Sequence, residues 1–599
     1  MKRIILAFAL FAALACQREI VDTPSATDPL PFPLEADKDL STQPGDDFWQ
    51  YCNGGWYART PMPASGAVGG AYDMLPVMDE IVQGVIAKVP SLTKFYQLKD
   101  RMYDTQGEGY AYISQLQEKL PQPQNLEQAY KAIGQMIAEG LSPLMIELVT
   151  DYKDGKIVGM LSLPGSTYKY SYSDINPMIK TELGWIAEGM EMDPETLYYN
   201  DLTVFVLSVL KSQPLEEIAG LLPGGLIRLY PFYSEEGLEM FNAQFSESWT
   251  KERAAVMARS YLGYEISYHI AGECVTPELK RHHMELVERL RDAFRARILK
   301  LDWMSETTRS SALDKLEKMM AFVGCPDVWY EDCMPDLSQC RSMVEAAYLL
   351  RSANVKLTKH LIGTSDIMSK DLTATGMVAD GSLMLTDLSW VNAYYSRAYN
   401  SIIIFPGMML PPLFNGDYTE AYEYGMLATA AHEITHGFDS EGAQYDAMGR
   451  KHNWWTVADK MAFEDQQDKL IRCYSTLEYD PVAYPGQYTS GAVTLAENIA
   501  DLGGFLVTRD AYIKRLKEEG FKGDNFDAQL KKFHESYAHL QAVKYSAAKL
   551  QDIVTTDNHS HARLRVNGVV MNTDLWYDLY GVTRDNILYL PADRRTYIW

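Results

Sequence analysis

Along most of the chain, apolar residues recur every three or four positions among charged ones, the period of an amphipathic helix. Residues 246–298 and 302–323 carry this pattern most clearly, and it predicts a mainly helical region from about Asp46 to Asp380. Strand-like runs are short, at Ile157 to Leu163 and Tyr168 to Tyr172. The pattern changes at Ser389 to Phe405. There Trp390-Val391-Asn392-Ala393-Tyr394-Tyr395 and Ile402-Ile403-Ile404-Phe405 predict two strands around a polar turn, and long helices resume at Tyr422.

Before the helical region the chain has neither period. Gln17 to Pro44 is polar and rich in Pro, Thr, Ser and Asp, which predicts a tether. Ahead of it stand Met1-Lys2-Arg3, an apolar run from Ile4 to Ala15, and Cys16, the three parts of an export signal. Ala13-Leu14-Ala15-Cys16 resembles a bacterial lipobox, so Cys16 is expected to carry lipid. The expected location is the bacterial cell envelope, anchored in the periplasm or at the outer membrane or cell surface. No later run reaches the roughly 18 apolar residues of a membrane-spanning helix, so contact with a membrane is expected only through Cys16.

Composition narrows the classes. The 599 residues are 47% hydrophobic, enough for a large buried interior and too many for a disordered chain. The formal charge of −25 repels phosphate backbones, so no nucleic-acid partner is expected. The six cysteines after Cys16 form no CxxC pair. They read equally well as disulfides of unreadable connectivity or as free buried thiols.

The chemistry is concentrated at His432-Glu433-Ile434-Thr435-His436. Residues four apart share one helix face, so His432 and His436 can hold one Zn²⁺ while Glu433 acts on water beside it. A catalytic zinc needs a third protein ligand and an open position. Glu497 is the candidate, in Leu495-Ala496-Glu497-Asn498-Ile499-Ala500-Asp501, with Asp501 one turn further on the same face. Both acids interrupt an apolar run and would be buried, which requires a metal or a hydrogen-bonded partner. Asp501 suits the acceptor that fixes a metal-binding imidazole.

These motifs, with others in order along the chain, resemble the neprilysin and endothelin-converting-enzyme family of zinc metallopeptidases (M13), which includes bacterial oligopeptidases. Pro44-Gly45-Asp46-Asp47-Phe48 and Asn53-Gly54-Gly55-Trp56 resemble the family's opening block. Asp302-Trp303-Met304 and Gly324-Cys325-Pro326-Asp327 resemble its middle. The second half matches at Val391 to Ser396, Ile404-Phe405-Pro406, His432 to Asp439, Trp454-Trp455, Glu497 to Gly504 and His559 to Arg565.

The resemblance implies zinc ligands at His432, His436 and Glu497, a general base at Glu433, and supporting acids at Asp501 and Asp439. It implies that Asn392 and the backbone of Ala393 pair with the substrate main chain. His559 would stabilise the oxyanion, and Arg565 would grip a substrate carbonyl or carboxylate. It also implies the fold: a mainly α, two-lobed gluzincin, with a thermolysin-like catalytic lobe and a helical covering lobe enclosing the active site. The expected division is 1–15 signal peptide, 16–45 tether, 46–388 mostly helical lobe and 389–599 catalytic region. The activity implied is zinc-dependent hydrolysis of internal bonds of oligopeptides, on the amino side of hydrophobic residues, with one catalytic Zn²⁺ and Glu433 as general base. The alternatives are a catalytically inactive, surface peptide-binding lipoprotein and a gluzincin exopeptidase.

Two departures stand out. Animal members of the family end in Cys-x-x-Trp, with a disulfide to the opening block, whereas Thr596 and Asn53 occupy those places here, so that bridge is absent. His561 stands where the family has Pro or a small residue, and it reads as a surface imidazole.

Overall fold

The computed structural model describes residues 35–163, 168–245, 247–372, 387–414, 419–480 and 485–599. The signal segment, Cys16 and the tether up to Leu34 lie outside the described residues. Helices dominate, as the periodicity predicts, and they surround two separate apolar interiors. No described helix is long and apolar enough to cross a membrane.

The first interior belongs to a catalytic unit drawn from distant parts of the chain. It begins with α1 (Phe48–Arg59) and the two-residue strand β1 (Ala67–Val68). Two further helices follow, α2 (Pro277–Ile298) and α3 (Glu306–Lys318). Next come the strands β2 (Met320–Val323), β3 (Ala393–Ser396) and β4 (Ser401–Ile404). The remaining elements are α4 (Glu420–His436), α5 (Leu495–Glu518), α6 (Gly523–Leu540), β5 (Lys544–Tyr545) and α7 (Ala562–Val570).

The division therefore does not fall at residue 388, as expected from sequence. α2 shows why. Thr276 caps it by accepting from Leu279 N–H, Pro277 starts it, and its stripe Leu286, Val287, Leu290, Phe294 and Ile298 is buried. That stripe faces the catalytic interior, with the Phe294 ring 4.9 Å from that of Phe438. An amphipathic helix goes where its apolar face finds a partner, and here the partner lies more than a hundred residues downstream.

The covering unit encloses the second interior. Helices Leu126–Ala138 and Pro177–Gly189 pack together, with Met343–Leu361 nearby. A four-stranded sheet runs in the order Glu147–Lys153, Lys156–Ser162, Leu197–Asn200, Lys169–Ser171, which places both short strand-like runs read from sequence.

A three-stranded sheet joins the units in the order β2-β4-β3, with β4 parallel to β2 and antiparallel to β3. Ile402 and Ile404 of β4 enter the catalytic interior, whereas Ile403 and Phe405 enter the covering one. A strand buried on both faces needs an unbroken apolar run, and Ile402 to Phe405 supplies it. β3 is left at the edge.

Two other expectations change. Residues 35–45, assigned to the tether by composition, are docked on the body: Asp37 is buried, Asp39 N–H donates to Tyr51 O at 3.0 Å, and Leu588 N–H donates to Gly45 O at 2.9 Å. Their polar side chains face partners that only the folded chain provides. The six described cysteines are all free thiols, mostly buried, in interiors large enough to need no cross-links.

Candidate active site

α4 carries the His-Glu-Ile-Thr-His run in its last turns and is buried almost throughout, from Ala421 to Thr435. Small side chains at Ala428, Ala430 and Ala431 let neighbouring helices lie close. The tightest approach is at Gly503 and Gly504 of α5. A Cβ at Gly504 would stand 2.7 Å from His432 N, and one at Gly503 would stand 2.4 Å from Thr435 Cγ2. Glycine at these two positions thus brings α5 against the metal-binding motif, and Glu497 and Asp501 arrive one turn apart beside His432.

His432 Nε2 and His436 Nε2 face each other at 3.0 Å, and Glu497 Oε2 lies 3.3 Å and 3.4 Å from them. The opposite ring nitrogens have their own partners. His432 Nδ1 is 2.8 Å from Asp501 Oδ1, and His436 Nδ1 is 2.6 Å from Asp439 Oδ2. Ionised carboxylates only accept, so these contacts assign the protons to both Nδ1 atoms and leave lone pairs on both Nε2 atoms. Two imidazole nitrogens and a carboxylate oxygen converge at a range that suits one cation between them. The donor set His₂Glu, with its atoms within 4.8 Å of one another, is that of a catalytic zinc with an open fourth position. The residues fit the ion. Asp501 and Asp439 each stand against one of the two rings.

Electrostatics follow the same pairs. Burial alone would raise the Glu497 and Asp501 carboxyls. Glu497 is nevertheless held below the usual carboxylate range by the three imidazoles that face it, His432, His436 and His559, and Asp501 by the Arg565 charge and the His432 ring. Glu433 is buried and is raised, chiefly by that burial.

The opposite wall comes from α7 and the loop before it. His559 Nε2 lies 3.2 Å from Glu497 Oε2, and its Nδ1 lies 2.8 Å from Asp557 Oδ1. Burial would lower His559, but these two carboxylates push it up to about 9. Arg565 donates from Nε and Nη2 to Asp501 at 2.8 Å and 2.6 Å. Two of its three nitrogens are thus committed to Asp501, a pairing that the sequence reading did not foresee.

Asn392 and Ala393 lie at the start of the edge strand β3. Asn392 Oδ1 accepts from Ala393 N–H at 2.9 Å. Asn392, Ala393, Glu433, His559 and Arg565 all line one cavity of about 520 Å³ together with the three metal-site residues. Most of the described wall belongs to the catalytic unit, joined by Ala71 and Tyr72, while Val391 and Tyr394 line it and also pack against the covering unit's interior.

Sequence reasoning missed several neighbours. Asn558 Nδ2 donates to Glu497 Oε1 at 3.2 Å, and Tyr537 Oη donates to the Arg565 carbonyl at 2.9 Å. Lys315 is buried and donates to Gly442 O and Tyr445 O, both at 2.7 Å, which holds the loop after α4. Only Asn558, beside His559 in the chain, carried a sequence signal. His561 is corrected: it is buried, its Nδ1 accepts from Arg563 N–H at 3.2 Å, and it caps α7. Its ring is covered by Tyr545, which the sequence did not place there.

Sequence models of Peptidase family M13 match residues 392–596 and, for the N-terminal part, 205–326, together more than half of the chain. The chain belongs to peptidase family M13. Neprilysin-11 of Caenorhabditis elegans is 30% identical over 328 residues, 53% of this chain and 37% of that protein. The neutral endopeptidase of Lactococcus lactis subsp. cremoris is 29% identical over 330 residues, 55% of this chain and 47% of the relative. The chain thus spans less than half the length of these curated relatives. The solved structure of the Mycobacterium tuberculosis zinc metalloprotease ZMP1 in an open state superposes with a TM-score of 0.67 at 22% identity, covering 93% of this chain and all of that one. The likeness shows the two-lobed M13 fold.

Proposed function

We propose that this chain is a zinc-dependent endopeptidase that hydrolyses internal bonds of oligopeptides. The observation that carries the reading is the convergence of His432 Nε2, His436 Nε2 and Glu497 Oε2 beside a buried Glu433 in one cavity. The three donors would hold one zinc ion, which supplies Lewis acidity when bound.

The rest is done by the chain's own residues. Glu433 accepts a proton from the attacking water and passes it to the leaving amine. The imidazole of His559, facing the same point as Glu497, donates to the oxygen on which negative charge develops. An extended peptide adds to the exposed edge of β3 and is aligned by Asn392 and Ala393. The remaining Arg565 nitrogen meets a carbonyl or carboxylate beyond the cleaved bond. Met408, Leu540, Val543 and Ile553 line the same cavity and favour an apolar side chain next to that bond, in keeping with cleavage on its amino side.

Mass spectrometry of a mixed peptide pool after incubation tests the proposal. Internal cuts that disappear on chelation of the metal are expected. Removal of terminal residues alone would make the chain an exopeptidase, and retention of uncut peptides would make it a binding protein.

From the lipobox at Cys16 we also infer an envelope location through a lipid anchor. A diacylated cysteine buries many methylenes at about 0.8 kcal/mol each. Cys16→Ser should therefore move the protein from the detergent fraction to the soluble exported fraction, and an unchanged distribution would contradict the anchor.

A further inference from the structure

The opening block, Asp47-Phe48 through Trp56, is absorbed by none of the chemistry above, yet it lies more than 500 residues in sequence from α7 and touches it directly. Asn567 of α7 is buried. Its Oδ1 accepts from Trp49 N–H at 2.9 Å, and its Nδ2 donates to Asp47 Oδ1 at 3.0 Å. Arg563, one turn earlier, pairs with Asp47 Oδ2 at 2.9 Å, donates to Gln50 Oε1 at 3.1 Å and lies over the Trp49 ring at 5.2 Å. Asp47 also caps α1 by accepting from Gln50 N–H at 2.9 Å.

Positions 563 and 567 share one face of α7, whereas 565 points about 200° away, at roughly 100° per residue. α7 is therefore held from both sides: by α1 through Arg563 and Asn567, and by α5 through Arg565 and Asp501. The same N-terminal segment grips the chain leading into this wall. Trp49 Nε1 donates to Gln541 O at 2.7 Å, and Asn53 Nδ2 donates to Ala538 O at 2.9 Å. β1 pairs with β5, and Ala71 and Tyr72 then reach the cavity itself.

We propose that the opening block is a structural part of the active site, and that Asn567 and Arg563 are positioning residues which, through Asp47, hold α7 and its preceding loop so that Arg565 and His559 face the cleft. The activity arm of this inference rests on the peptidase reading; the geometric arm does not. The Trp49 amide held by Asn567, and the α1-capping Asp47 carboxylate held by Asn567 and Arg563, fix the rotation of α7 against α1. Without them the helix is fixed on a single side, and displacements of an ångström at catalytic groups are costly in rate.

The test is Asn567→Ala in the full-length, zinc-loaded protein, read in two ways. Hydrogen exchange should quicken across residues 559–566 while α4 is unchanged. Turnover of an amidated peptide per zinc-loaded chain should fall about 10- to 100-fold, with KM within about twofold. A role confined to stability would lower the melting temperature and leave kcat per zinc-loaded chain intact. Asp47→Asn keeps the α1 cap and an acceptor for Asn567 but loses the charge that Arg563 pairs with. It should show both effects at smaller amplitude, and it decides the matter if Asn567→Ala does not fold. Unchanged exchange at 559–566 would overturn the inference whatever the activity, as would faster exchange with turnover within about twofold of wild type. If the wild-type protein cleaves no peptide, the peptidase reading fails and the exchange measurement alone judges this one.

Discussion

Around its cleft the catalytic unit buries His432, Glu433, Asp439, Glu497, Asp501 and Arg563, while the covering unit's interior is mostly apolar, with Glu182, Glu265 and Asp387 among its buried charges. Taking a charge out of water costs several kcal/mol unless a partner stands at hydrogen-bond range. In the catalytic unit the partners are there: Asp501 lies between His432 and Arg565, and Arg563 meets Asp47. Such pairs are a poor source of stability and a good source of fixed geometry. The covering unit carries fewer such groups and is held more by packing, so the two should fail in different ways when altered.

The largest effect is expected at the charged centre. Glu433→Gln should lower turnover on the order of 10² to 10⁴ while keeping zinc and the melting temperature, because the near-isosteric amide cannot accept a proton. Near-normal peptide turnover would remove Glu433 as general base. The mirror-image change lies in the covering unit, where Ile133 is fully buried. Ile133→Ala should cost about 2–5 kcal/mol in denaturant unfolding and leave zinc content intact. Loss of zinc there would show that the two interiors fold as one.

A smaller change should follow at the ring-fixing acid. Asp501→Asn should weaken zinc binding about 10- to 100-fold without abolishing it. Glu497→Ala, which removes a metal-binding oxygen itself, should release the metal on dialysis. Equal retention in the two variants would break the distinction between them.

The smallest and most diagnostic effect is with pH. Burial lowers His534 to about 3, and His283 and His539 to about 4, all in the catalytic unit. Each is neutral when folded and takes up a proton near 6.5 when unfolded, so its contribution to stability is present above 6.5 and is lost as pH falls toward 4. Glu265 in the covering unit runs the other way. Burial raises it to about 7, so its contribution is complete below its unfolded value of 4.5 and is lost as pH rises through 7. Acid should therefore loosen the catalytic unit first and alkali the covering unit first, as read by hydrogen exchange across pH. Glu265→Gln should flatten the alkaline side alone. A common order of unfolding at both extremes would mean that these buried groups do not govern it.

Local rules were enough for much of this molecule. The four-residue spacing of His432 and His436 put both rings on one helix face, the apolar run at Ile402 to Phe405 marked a strand, and acids inside an apolar stretch singled out Glu497 and Asp501. Periodicity and spacing act within one element, where the backbone geometry is known in advance. What tertiary structure alone decided lies between elements. It set the 3.3 Å approach of Glu497 to His432, allowed by Gly504. It placed α2 and α3 in the catalytic unit rather than the covering one, turned Arg565 onto Asp501, buried His561 under Tyr545 and docked Asp47 on Asn567. An amphipathic face states that it must be covered and an ionisable group states that it must be paired, but neither states by what. The partner depends on which surfaces meet once distant segments pack.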